Sequence, residues 1–281
     1  MVYLLAAIAS SAMVSLCMRA SERSVHDTMA MFTANYAVCF AISRFYMGNT
    51  RLFALADGMG TAVGLGLASG FLYLASFILL QRSIHYNGVV LSSASMKLGA
   101  VLIPVLVAVL VFQERLRWPQ LWGSVLAVLA ILLINIGKGD VRQGGKKGLL
   151  LVLLTANGLT DTMANIYQKT GTEALKDHYL CYTFLAALLL AFGAALWKRD
   201  PARRADIGWG LLIGIPNYYS ARFILLALEQ VPAVVVYPVY SVGTIITITL
   251  VGLAVFHERL GRQKAAALGL ILAALALLNI T

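Results

Sequence analysis

Three ionisable residues stand inside apolar runs, where a charge needs a partner or water. Lys97 lies in the middle of 88–136, with Ser93 one turn before it and Pro104 two turns after. Arg222 lies in PNYYSARFILL, with Tyr218 on its face at i−4. Asp161 lies in TANGLTDTMANIYQK, where Asn157, Asp161, Asn165 and Gln168 recur at helical spacing as one polar stripe. An ionised side chain at the centre of a bilayer costs at least about 2.5–3.5 kcal/mol, so each must face a cavity or an ionic partner.

The chemistry open to each is limited. Lys97 is either a cation that binds an anionic group or half of a structural pair with Asp161. Arginine keeps its proton, so Arg222 is a fork for carboxylate or phosphate, or it is paired with Glu229 or drawn to the interface. Asp161 is a carboxylate that is protonated and released to couple transport, or a cation site, or part of a polar seam between helices. Tyr73, Tyr218 and Tyr237 offer apolar surface with one hydrogen bond each, and Ser241 shares a face with Tyr237. Packing inside a helical bundle is the other use of these rings. The candidate binding set is therefore Lys97, Arg222, Tyr73, Ser93, Asn157, Asp161, Tyr218, Tyr237 and Ser241, with Asp161 the coupling candidate.

The elements that position them follow from composition. The chain has 281 residues, 60% hydrophobic and 12% charged, with mean hydropathy +0.83. A soluble domain holds about 25% charged residues, so a soluble globule is excluded. Apolar runs of about 20 residues recur and do not alternate, which predicts an all-α polytopic membrane protein rather than a membrane barrel. Ten spans fit, over approximately 1–19, 29–47, 58–81, 87–112, 119–137, 147–168, 178–197, 207–228, 232–256 and 263–280. Residues 1–18 are read as the first span rather than a signal peptide, because a duplication needs five helices in each half.

The duplication is visible directly. Residues 88–136 and 232–280 align at a shift of 144, pairing Phe112 with Phe256, Glu114 with Glu258, Arg115 with Arg259, Leu116 with Leu260 and Asn135 with Asn279. Gly66 and Gly70 pair with Gly210 and Gly214. Five helices per half is odd, so the second half enters the membrane in the opposite sense. The expectation is ten transmembrane helices as two inverted-topology repeats of five, 1–137 and 148–281, joined by a linker at 138–147. The glycine pairs have GxxxG spacing and are expected to let helices 3 and 8 approach a neighbour closely. Glu114 and Glu258 close their spans and are expected to be structural.

Net charge is +10, carried by 22 lysines and arginines against 12 acids. Fourteen of these cations fall in loops after odd-numbered spans and six in loops after even-numbered ones; the other two are Lys97 and Arg222. The basic residues therefore set topology, and no nucleic-acid partner is expected. Positive loops inside would put the odd loops in the cytoplasm. Cys17, Cys39 and Cys181 are scattered within spans and form no disulfide framework or metal pair. No phosphate-binding glycine loop, HExxH, GxSxG or Cys/His cluster is present, so no cofactor and no enzyme activity are expected. Work would come from a gradient. An intramembrane lipid-acting enzyme is the non-transport alternative.

With these residues in view, the chain resembles the drug/metabolite transporter superfamily, in its EamA-like ten-helix branch. The resemblance rests on VLVFQERL and LAVFHERL, each closing an apolar span and each followed by a small-residue helix containing Gly123 or Gly269. It implies a secondary transporter in the cell membrane that moves a small metabolite by alternating access, often in the export direction. It implies both termini in the cytoplasm, opposite to the loop count, and it leaves monomer or homodimer open. It does not imply a substrate. Counting two cations, Lys97 and Arg222, against Asp161 favours a substrate with an anionic group. An amine or cationic drug coupled to protons through Asp161 is the alternative.

Overall fold

The computed structural model describes residues 1–21, 24–48, 56–87, 89–115, 117–135, 147–198 and 201–255, and the scattered positions 266, 269–270, 273–274 and 276–277. Among them are nine α-helices: α1 (Val2–Ser21), α2 (Thr28–Tyr46), α3 (Met59–Asn87), α4 (Val89–Leu110), α5 (Trp118–Asn135), α6 (Lys147–Thr170), α7 (Lys176–Lys198), α8 (Arg204–Gln230) and α9 (Ala233–Val255). They stand where the first nine spans are expected. The tenth expected span, the linker and the second FxERL copy lie mostly or wholly outside the described residues.

Among the described residues, four helical stretches are long and apolar enough to cross a membrane: Met59–Leu80, Gly148–Thr170, Glu173–Lys198 and Arg204–Gln230. Val2–Met18, Leu98–Leu110 and Ala233–Ile248 are apolar but shorter. The chain is a multi-pass helical membrane protein. The clearest boundary difference is α3, which continues to Asn87 past the expected end at 81. Hydropathy marks where the chain leaves the apolar layer, not where hydrogen bonding stops. Two polar side chains of the extra turn are buried, Ser83 and Asn87: Ser92 donates to the Ser83 hydroxyl at 2.8 Å, and the Asn87 amide donates to the same oxygen at 3.3 Å.

The helices group into two compact units, each drawing on both ends of the chain. One contains 2–74 and 166–226. Its centre is the α2–α7 pair, which is in extensive contact. On it sit two helices with glycine seams. A methyl group on Gly66 of α3 would lie 2.7 Å from Cβ of Tyr182 and 2.9 Å from the Tyr179 carbonyl of α7. One on Gly70 would lie 2.6 Å from Cβ of Ala186. On α8, Gly210 would meet Ala34 at 2.6 Å, and Gly214 would meet the Asn35 carbonyl and Val38 at 2.7 Å, all on α2. These glycines let backbones touch, the close approach GxxxG spacing favours.

Two helix starts in this unit, those of α2 and α8, are capped by acids. Asp27 precedes α2 and accepts the Met29 N–H at 2.9 Å. Asp206, fully buried in the first turn of α8, accepts the N–H groups of Arg203 at 2.9 Å and His26 at 2.7 Å. It satisfies an orphan donor of α8 and ties that helix to the turn between α1 and α2.

The second unit contains 75–165 and 227–281. Here α4 packs on α9 and α5 around Val101, Ala127, Ala130, Val242, Ile245 and Ala274. Gly99 and Gly158 bring α4 and α6 into backbone contact: a methyl on Gly158 would lie 2.6 Å from the Gly99 carbonyl. Helix α4 ends in a left-handed cap. Gln113 has φ +52°, and the Glu114 N–H closes back onto the Ala108 carbonyl at 2.9 Å.

Two substitutions test the seam. Gly70→Ala pushes a methyl into α7 and is expected to destabilise the purified protein by about 1–3 kcal/mol. Gly64→Ala, on the same helix with nothing within 4 Å of the added carbon, is expected to be neutral or stabilising by up to about 1 kcal/mol. Thermal unfolding in detergent compares them. In the same assay, Gln113→Gly is expected to stabilise by about 1 kcal/mol by removing a side chain from the left-handed region.

Candidate functional site

The sequence candidates fall into two groups, one in each unit. The first is built around Arg222. Its guanidinium forms an ion pair with Asp177, donates to the Tyr218 hydroxyl at 2.9 Å, and lies 3.9 Å from the ring centroid of Tyr46. Three helices supply these partners. Asp177 is the second residue of α7, Tyr46 the last of α2, and Tyr218 precedes Arg222 by one turn of α8. The cluster therefore sits at one end of the α2–α7 pair. The side chains of Arg222 and Asp177 are only 16% and 23% exposed. A charge pair so enclosed persists through geometry and extra hydrogen bonds, because the Coulomb gain alone does not offset desolvation.

Aromatic rings complete the enclosure. Tyr46 stacks on Tyr218 at 5.8 Å and meets Tyr219 edge-on at 6.4 Å. The Tyr46 and Tyr219 hydroxyls are 3.3 Å apart. Phe184 packs against Tyr218 at 5.8 Å and Tyr73 at 6.4 Å, which places Tyr73 two rings away from the ion pair, behind Phe184 and Tyr218. A cation against a tyrosine face gains about 0.5–2 kcal/mol, more as water is excluded.

Sequence reasoning missed Asp177. Helical spacing points to Glu229, seven residues on, and hydropathy sets the membrane boundary just after Asp177. The usable signal was the acid in the first turn of a span. The consequence is a changed charge count: Arg222 already has a carboxylate, so the surplus of fixed cations read from the sequence is gone. A second missed group is Asn217, whose amide donates to the Asn35 carbonyl oxygen of the side chain at 3.2 Å, joining α8 to α2 below the ion pair.

The second group surrounds Asp161 of α6. Its carboxylate accepts from the Asn157 amide at 3.3 Å, and Asn157 also donates to the Met96 carbonyl of α4 at 3.1 Å. Tyr237 of α9 donates to the Asp161 carbonyl at 2.6 Å. Asn157 and Tyr237 are buried and Asp161 is half-buried. Ser241 is buried one turn further along α9. The Ser76 and Thr160 hydroxyls, 3.0 Å apart, extend the polar track to α3. The Nδ2 of buried Asn165 has no hydrogen-bond partner among the described residues. Lys97 and Ser93 lie on α4, and their side chains are outside the described residues.

Comparison with known proteins adds to this. Residues 178–271 match the family described as Small Multidrug Resistance protein. An uncharacterized protein of Haemophilus influenzae is 25% identical over 202 residues, covering 70% of this chain and 68% of that protein. An uncharacterized transporter of Bacillus subtilis, YcxC, is 34% identical over 96 residues, which span 34% of this chain and 30% of the relative. These matches support a membrane transporter. One solved crystal structure, whose description names no function, superposes with a TM-score of 0.70 at 14% identity, over 99% of this chain and 96% of that one. That likeness concerns the fold alone.

The ion pair is open to a double-mutant cycle. Arg222→Leu alone strands a half-buried carboxylate and is expected to destabilise by about 2–4 kcal/mol, as is Asp177→Leu. The double variant is expected to recover most of the loss, with a coupling energy of about 1–3 kcal/mol from thermal unfolding. Additive losses would show that the two groups do not depend on each other.

Proposed function

We propose that this chain is a secondary transporter that moves a small organic metabolite across the cell membrane by alternating access, in the export direction. The observation that carries the reading is Asp161, a half-buried carboxylate oriented by Asn157 inside a membrane-long helix. Such a group is expensive to keep in a span and is used where protons, ions or substrates pass. The family match over 178–271 and the transporter relative support the same reading.

The architecture proposed is ten helices in two inverted repeats, 1–137 and 148–281, around the linker 138–147. The glycine seams support it. The third helix of the first half sits on α7, the second helix of the other half, and α8, the third of the second half, sits on α2. The packing is thus exchanged between the halves in the way an inverted repeat requires. The EamA-like branch is the family proposed.

Substrate contacts are proposed for Lys97, Ser93, Asn157, Asp161, Tyr237 and Ser241 in one unit and for Arg222, Tyr73 and Tyr218 in the other. An anionic substrate at Arg222 has to compete with Asp177. An amine or organic cation coupled to protons is favoured by a specific observation: the second carboxylate, Asp177, stands beside the Tyr46, Tyr218 and Tyr219 rings that suit a cation.

Two measurements decide between these. A thermal-shift screen of a metabolite library reads the charge of the ligand, because a ligand that binds only the native state raises the melting temperature by mass action. Hits dominated by bases support the cation reading, and hits dominated by acids the anion reading. In liposomes, efflux of the best hit is expected to follow an imposed pH gradient, and Asp161→Asn is expected to abolish that dependence. Unchanged dependence in Asp161→Asn removes the coupling role.

A further inference from the structure

The duplicated FxERL motif has a physical job in its first copy. Helix α9 begins at Ala233 with Pro232 in the N-cap position and no acid in its first turn. Proline has no side-chain acceptor, so the orphan N–H groups of α9 need one from elsewhere. Glu114 provides it: its Oε2 accepts the Val234 N–H at 3.3 Å, across 120 residues of sequence. The reach depends on the left-handed Gln113, which ends α4 and turns Glu114 toward α9. The motif is thus a helix stop followed by a carboxylate lent to the opposite helix, where the positive end of the helix dipole favours it.

A second tie holds the same turn. Tyr237 closes it by donating to the Asp161 carbonyl of α6. The next residue, Pro238, cannot donate an N–H to the Val234 carbonyl, so the helix is weakened just beyond the clamped turn. Residues 233–237 are therefore one turn of helix, pinned at its start by the loop after α4 and at its end by α6, with a hinge behind it. Both pins and the hinge belong to the α4–α9 side of the molecule, next to the carboxylate proposed to couple transport.

We propose that Glu114 is a latch that holds the first turn of α9 closed against α4 and thereby positions Tyr237 on α6. Releasing it lets 233–237 swing about Pro238 and opens that end of the α4–α9 pair to water. The meaning of such a gate rests on the alternating-access reading, but its test does not use transport, so the two fail separately.

The test is accessibility of a cysteine at the buried position Ala233, placed as Ala233→Cys, to a water-soluble maleimide. Labelling is read peptide by peptide by mass spectrometry, with fully buried Cys39 and Cys181 as internal references. Glu114→Ala is expected to speed labelling of position 233 by about ten- to a hundred-fold, the loss of one charge-assisted hydrogen bond. Glu114→Gln, whose amide oxygen still accepts, is expected to stay within a few-fold of the parent. Val234→Pro removes the donor instead, in a first turn that tolerates proline, and is expected to open the turn as Glu114→Ala does. It also keeps the test alive if Glu114→Ala does not fold.

A local cap separates a latch from a mere helix cap. Adding Pro232→Asp to Glu114→Ala gives α9 its own N-cap, so melting is expected to recover while position 233 stays rapidly labelled. If the local cap also restores slow labelling, or if Glu114→Ala and Val234→Pro leave labelling unchanged, the latch is disproved. Slow parental labelling with fast labelling in all three of Glu114→Ala, Val234→Pro and the capped double variant establishes it.

Discussion

Polar groups inside a membrane-spanning helix must be satisfied by the protein, since lipid offers no hydrogen bonds. That one constraint explains most of the specific contacts. Arg222 cannot shed its charge, so it is enclosed by Asp177, Tyr218 and the face of Tyr46. Asp161 is held by Asn157, which in turn is anchored to the Met96 carbonyl. Backbone donors without a useful local acceptor borrow one, as the start of α9 does from Glu114 and the His26 N–H does from Asp206. Each of these contacts joins elements far apart in sequence. Satisfying the polar groups and tying the bundle together are therefore the same act.

The apolar packing follows a complementary rule. Lipid tails are as apolar as leucine, so helices gain little by burying large side chains and more by approaching closely. Gly66 and Gly70 seat α3 on α7, and Gly210 and Gly214 seat α8 on α2. Gly99 and Gly158 do the same for α4 and α6. Stiff glycine seams within each unit contrast with the proline positions, Pro104 in α4, Pro216 in α8 and Pro238 in α9, where helix hydrogen bonding is interrupted. Rigid contacts with local weak points are what a protein needs if its helices are to move as bodies.

Much of the scaffold was legible in the chain. The apolar runs located the nine helices of the described residues, because a helix must cross about 30 Å of hydrocarbon with some 20 residues whatever its neighbours are. The polar stripe on α6 was legible because its period is set by one helix: Asn157 and Asp161 do meet. Tyr218 beneath Arg222 was legible for the same reason. What failed was pairing across helices. Helical spacing offered Arg222 a partner at Glu229, whereas the partner is Asp177, placed by the packing of α7 against α2. Glu114 read as a terminal anchor, and its acceptor role toward Val234 depends on where α9 begins in space.

The sequence by itself determined a membrane-embedded, all-helical chain, the position of its spans and the identity of the few charges that interrupt them. These depend on hydropathy and on a period of 3.6 residues, both local properties. Only the tertiary structure decided which charge meets which, that Arg222 is already neutralised, and that the duplicated glutamate serves a helix 120 residues away. An ion pair or a borrowed cap is fixed by distance in space, and distance in space between helices is set by packing rather than by order along the chain.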